Sequence, residues 1–100
     1  MSRRLVISPA AEGDILEAYS WYEELVTGLG SRLLEELERV FNRVLINPGS
    51  YREVEPGIRQ ALAHTYPYLA FYTFDDEAVY VLAIIHASQH PAYIAARLGA

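Results

Sequence analysis

The chain has 100 residues and no cysteine, with 52% hydrophobic and 21% charged residues. Eight arginines, without a lysine, stand against 13 acidic side chains, so the formal net charge is −5. This length fits one domain over residues 1–100; the composition excludes disulfides, thiolate metal sites and a cysteine nucleophile and argues against disorder and a general nucleic-acid binder.

Leu5-Val6-Ile7 is apolar and stops at Ser8-Pro9, which predicts a short first strand. That stretch is shorter than the roughly 7 to 15 apolar residues of a signal-peptide core. No apolar run approaches the roughly 18 to 20 residues of a membrane span. The expected location is therefore cytoplasmic, without a membrane partner. Ser8 stands at an N-cap position and Pro9 at the first helical one. Ala11, Ile15, Ala18, Tyr22 and Leu25 then recur at helical spacing, with Ile15, Tyr19, Tyr22 and Val26 as a parallel stripe. The pattern predicts a helix over 9–26, with Trp21 and Tyr22 packed.

Gly28 and Gly30 supply left-handed backbone for the following turn. A second helix carries Leu33, Leu37, Val40, Phe41 and Val44 on one face and ends at Asn47-Pro48-Gly49. The short link makes the two helices an antiparallel hairpin. Glu23-Glu24 and Glu35-Glu36 read as solvated helix faces. Residues 50–57 read as a polar loop. Three strands follow over 58–63, 68–74 and 79–86, with turns at His64-Thr65-Tyr66-Pro67 and Asp75-Asp76-Glu77. A short helix over 92–98 follows Pro91.

The fold class is α+β. The expected arrangement is a two-layer β-α-α-β-β-β domain, with a helical hairpin on one face of a mainly antiparallel sheet and a short C-terminal tail. The other sheet face has no helix to cover it, so solvent, a partner or a ligand is expected there, and that uncovered face is where function is expected.

Arg59 and His86 are the foremost candidates for chemistry. A metal-free RNA-cleaving site needs a group that moves protons and a cation that holds phosphate, and His and Arg fit those roles. The competing reading is structural: Arg59 pairs with a carboxylate and His86 hydrogen-bonds at a strand end. Cation supply disfavours cleavage, because binding a polyanion scales with the phosphates neutralised. Arg3, Arg4, Arg52, Arg59 and Arg97 are the candidates for a local basic patch. His64, His86 and His90 lack a metal-ligand spacing, so no metal is expected. No phosphate loop, nucleophilic triad or dinucleotide fingerprint occurs, so no cofactor is expected either. The aromatic side chains fit strands and a protein interface better than base stacking.

The run Val6-Ile7-Ser8-Pro9-Ala10-Ala11-Glu12-Gly13-Asp14-Ile15, the segment Tyr19-Ser20-Trp21-Tyr22 and the triplet Gly57-Ile58-Arg59 stand in a telling order. Tyr66-Pro67-Tyr68-Leu69-Ala70-Phe71-Tyr72 and the stretch Val79 to His86 with Pro91 complete it. With these pieces the chain resembles the RelE/ParE superfamily of bacterial toxins from type II toxin–antitoxin (plasmid stabilisation) modules, and tilts toward the ParE branch. In that superfamily RelE-like members cut messenger RNA on the ribosome and ParE-like members poison DNA gyrase. A cognate antitoxin holds both inactive. ParE-like members commonly carry His-x-x-Arg at the end of the last strand, whereas here Gln89 follows His86 in the arginine position. Gln offers a neutral amide where Arg offers a charged fork.

The resemblance and the charge count together imply a ParE-like toxin that works by protein–protein contact, with Arg59, His86 and Gln89 meeting the target. An antitoxin is expected to lay a helix or strand against the helical hairpin and a sheet edge. One alternative is a RelE-like, ribosome-dependent mRNA endonuclease with Arg59 and His86 as catalytic residues. Another, motivated by Gln89, is a degenerate non-toxic relative that only binds antitoxin. A homodimer through the sheet edge or the helices is an open alternative.

Overall fold

A computed structural model describes residues 2–99. Strand β1 (Arg4–Ile7) leads into helix α1 (Pro9–Leu25) and then helix α2 (Leu29–Ile46). Strands β2 (Glu53–Glu55), β3 (Ile58–Leu62), β4 (Tyr68–Phe74) and β5 (Ala78–His86) follow, and helix α3 (Pro91–Arg97) closes the order. The α+β arrangement and the helix-helix-then-strands order match the sequence reading.

The strands form one five-stranded sheet in the order β1-β5-β4-β3-β2. β1 runs parallel to β5 and every other neighbouring pair is antiparallel. β2 corrects the expectation of a polar loop over 50–57. Its three residues are too few to show an alternating pattern, and pairing with β3 is what makes them a strand.

Ser8 starts α1 as expected. Its hydroxyl oxygen accepts the Ala11 N–H at 3.1 Å, and Pro9 occupies the first turn. Between the helices the two glycines serve different ends. Gly28 has φ +96°, a left-handed conformation that suits glycine. Gly30 lies inside α2, correcting its assignment as a turn residue, and its Cα packs directly on Tyr19 of α1. A Cβ there would sit 2.7 Å from the Tyr19 ring and 2.8 Å from the Tyr19 carbonyl oxygen. Close helix approach, not a turn, explains this glycine.

The main core lies between the helical hairpin and one sheet face. Leu33, Leu37, Val40, Phe41 and Val44 of α2 meet Ala70 and Tyr72 of β4 and Val79, Val81 and Ile84 of β5. α1 contributes Ala11 and Ala18 as its fully buried positions. The second sheet face is not left bare. Phe71, Ala83 and Ile85 pack there against Ile94 and Leu98 from the C-terminal segment, together with Val54 and Ile58. This corrects the expectation of an uncovered, functional face: the short C-terminal helix and Leu98 cover it, and His86 lies on the opposite face with Tyr68.

A bulge in β5 decides which side chains reach the helices. Tyr72 pairs with Val81 and Phe71 with Ala83, so Leu82 is an extra residue without a partner on β4. Strict alternation from Val79 and Val81 would send Ile84 and His86 to the opposite face. The bulge reverses that parity. It places Ile84 in the main core and His86 on the same face, across from Tyr68.

Candidate functional site

The bulge is held by α1. Ser8 donates its hydroxyl to the Leu82 carbonyl at 3.2 Å and its N–H to Val81 O at 3.0 Å. Asp14 accepts the Ile84 N–H at 3.0 Å. These contacts satisfy the edge of β5 where β1 ends. The same Asp14 oxygen takes Arg97 Nη2 at 2.6 Å, and Arg97 Nη1 reaches the Tyr93 hydroxyl at 3.0 Å. Hydrogen bonds to Asp14 and Tyr93 raise the Arg97 pKa against the opposing effect of burial. One carboxylate thus ties α1, the β5 bulge and α3 together.

Asp14 and Arg97 of this junction help line an open groove of about 400 Å³ between α1, the end of β5 and α3. α1 lines it with Glu17, Trp21 and Glu24, and the opposite side carries Tyr68, His86, Gln89 and Tyr93. Two of the three proposed contact residues, His86 and Gln89, therefore meet here. The groove's guanidinium comes from Arg97, not from position 89.

His86 has a defined hydrogen-bonding character. Its Nδ1 accepts the Ser88 N–H at 3.1 Å and lies 2.7 Å from Ser88 Oγ. A backbone N–H can only donate, so Nδ1 bears a lone pair and the proton of the neutral ring sits on Nε2. With Nδ1 engaged in its own turn, Nε2 is the ring nitrogen left to meet a partner. Its ring meets Tyr68 edge-on, with centroids 5.1 Å apart. His90 is likewise committed, since its Nδ1 accepts the Ala92 N–H at 3.0 Å and caps α3. Among the described residues no cluster of three or more His, Asp or Glu is arranged to hold a metal ion.

Arg59 lies elsewhere. It pairs across the sheet with Tyr72, whereas His86 pairs with Tyr68 from the other side of β4. Four residues along and two strands across put the two Cα atoms about 16 Å apart. Arg59 donates Nη1 to Tyr51 O at 2.6 Å, and its Nη2 lies 3.5 Å from Glu53 Oε1. It also stands 5.9 Å from the centre of the Phe74 ring. Below it Tyr72 is buried and donates its hydroxyl to Pro48 O at 2.6 Å. Burial pushes the Tyr72 hydroxyl up to about 12, with Arg59 pulling the other way.

Two of the five candidate arginines come together, Arg3 and Arg59 over the Phe74 ring, while Arg97 stands apart. Arg3 stacks on Phe74 at 5.3 Å and donates Nε to Asp75 O at 2.7 Å, at the Arg59 end of the sheet. Arg97 is bound to Asp14 near Ile84, six residues along β5 from Ala78, where the other end of that strand begins.

Three side chains depart from the sequence reading. Trp21 was expected to pack, but it is 61% exposed at the groove, while its neighbour Tyr22 does pack, 5.0 Å from Tyr66. Glu23 and Glu36 were read as solvated and are not. Glu23 accepts the Gly28 and Gly30 N–H groups at 2.9 and 3.0 Å, capping α2 where glycine has no side chain. Glu36 is nearly buried and accepts the Thr65 and Tyr66 N–H groups, each at 2.9 Å. Burial pushes the Glu36 carboxyl up, but the Tyr66 and Thr65 N–H groups, together with the Thr65 hydroxyl and the charge of Arg39, outweigh it and hold its pKa below the usual carboxylate value.

The comparisons agree with this architecture. The family model for the ParE toxin of the type II toxin-antitoxin system, parDE, matches residues 5–91. The chain is 26% identical to Toxin ParE2 of two Mycobacterium tuberculosis strains, CDC 1551 / Oshkosh and H37Rv, over 99 residues, which is 98% of this chain and 94% of each relative. It also shares its fold with a solved chain of the chromosomal ParDE TA system from P. aeruginosa, at a TM-score of 0.73 and 18% identity, over 84% of this chain and 95% of that one. With a family match across most of its length, from the first strand to the start of the last helix, the chain belongs to the ParE toxin family of type II toxin–antitoxin systems.

Proposed function

We propose that this protein is the toxin of a type II module, acts in the cytoplasm by docking on DNA gyrase, and is neutralised by a cognate antitoxin. The observation that carries the docking mechanism is the separation of Arg59 from His86 by about 16 Å, estimated from their sheet positions. An RNA-cleaving centre needs its proton-transfer group and its phosphate cation around one reacting phosphate. Here Arg59 is engaged by Glu53 and Tyr51, and His86 by its own turn through Ser88. His86 and Gln89 line an open groove suited to hydrogen-bonded contact with a protein. Arg59 then serves as a second, separate contact point at the other end of the sheet.

The antitoxin reading finds support on the outer face of the helical hairpin. Leu16 and Leu34 are exposed there and, with Ile15 and Tyr19, line a shallow apolar groove. An amphipathic antitoxin helix fits such a surface.

Expressing the chain alone, and then with its neighbouring antitoxin frame, tests this reading. Growth arrest with a DNA-damage response, relieved by the antitoxin, is the expected result. Arrest through loss of translation with cleaved transcripts favours the mRNA endonuclease. Unimpaired growth at high toxin levels favours the non-toxic relative that Gln89 suggests.

A further inference from the structure

Glu17, Ser20, Trp21 and Glu24 recur along α1 at i, i+3, i+4 and i+7, so they share one helix face. All four line the groove beside β5. The core does not explain them: all four are exposed, and Trp21 is the one tryptophan of the chain. Glu17 and Glu24 have no cation within ion-pair reach among the described residues, in contrast to Asp14, which Arg97 holds at 2.6 Å. The groove therefore carries three carboxylates and one guanidinium that is already paired. Two helical turns set Glu17 and Glu24 about 10 Å apart, with Trp21 between them. Tyr93 and the His86 ring add aromatic surface on the opposite side.

We propose that this groove receives an arginine side chain presented by a protein partner. The guanidinium lies against the Trp21 ring and bonds through its fork to Glu17 or Glu24. Charge complementarity selects a cation for this lining. An exposed indole beside free carboxylates favours guanidinium over ammonium, because guanidinium stacks on aromatic faces and forks onto carboxylates. The groove is open, so the side chain arrives on a protein surface and is not enclosed as a free small molecule is. This inference rests on the reading of the His86–Gln89 groove as a contact surface and adds the chemistry the partner brings to it.

The test uses Trp21 fluorescence of the full chain. Two octapeptides serve as probes, one with three arginines and one with citrulline, a neutral isostere, at the same positions. The arginine peptide is expected to change Trp21 emission saturably and more weakly as salt rises, while the citrulline peptide leaves it unchanged. The double variant Glu17→Gln/Glu24→Gln should weaken binding by about tenfold or more, the loss of one charge-assisted contact. A second double variant, Glu35→Gln/Glu38→Gln, removes the same charge from exposed positions on α2 and should bind as the unaltered chain does. No change of Trp21 emission, equal binding of the citrulline peptide, or equal weakening in both double variants overturns the proposal. Gyrase takes no part in this titration, so its failure leaves the toxin reading to its own assay. Inhibition of gyrase by a chain that ignores the arginine peptide would sink the receptor alone.

Discussion

Glu36 and Glu35 are adjacent and chemically identical, yet one is solvated and the other holds a turn. The difference lies in helix phase. Position 36 falls beside Leu33, Leu37 and Val40 on the buried side of α2, where the 65–66 turn arrives with two unpaired N–H groups. Replacing Glu36 by Gln leaves one of those N–H groups facing an amide NH₂, so Glu36→Gln should lose about 1–3 kcal/mol in a denaturant titration at neutral pH. The pH dependence follows from the lowered pKa. A carboxylate with a folded pKa below its unfolded value stabilises the fold fully above the unfolded pKa. That contribution is lost as pH falls through the folded one. The gap between the unaltered chain and Glu36→Gln should therefore be largest above the ordinary carboxyl value of 4.5 and narrow in more acid solution. The role of Glu36 was not legible in the sequence, because a partner 29 residues away leaves no local pattern. Ser8 was legible, because an N-cap bonds within its own turn.

At the scale of elements, the long strands and both long helices could be read from periodicity, while the devices that aim them could not. The β5 bulge is one such device. It inverts the alternation after Leu82 and brings His86 to the α1 side, and nothing in Val79 to His86 marks it. Gly30 is another, a helical glycine kept by contact with Tyr19. Ala is the better helix former by about 1 kcal/mol, but its methyl would collide with a backbone oxygen that cannot swing aside. Gly30→Ala should thus be destabilised by about 1–2 kcal/mol net, with Tyr19 displaced, as read by thermal melting. α3 is a third case. Seven residues do not hold a helix alone; Arg97 and the apolar contacts of Ile94 and Leu98 hold it. Arg97→Ala should remove a contact of about 1.5–3 kcal/mol and leave α3 amides nearly unprotected in hydrogen exchange, with protection in α2 and β4 unchanged. Loss of protection throughout would show that α3 is integral to the core.

For the whole molecule, one sheet with a core on each face predicts a single cooperative unfolding transition, with fluorescence of Trp21 and far-ultraviolet dichroism coinciding. The α+β class and the hairpin-on-sheet packing were readable from element order alone. The coverage of the second sheet face by α3 was not, since a short tail gives no sign of where it docks. The candidate site was half legible. The sequence pointed to His86 and Gln89, which share the groove, and to Arg59, which the sheet holds about 16 Å from His86. That spacing, with few cations and those partly engaged, is the basis for proposing that this toxin docks on a protein and breaks no phosphodiester bond. Adding the purified chain to a DNA supercoiling reaction by purified gyrase tests this most directly. Inhibition that rises with toxin and is reversed by antitoxin is expected. Unimpeded supercoiling at every excess, alongside cleavage of transcripts on translating ribosomes, would contradict it.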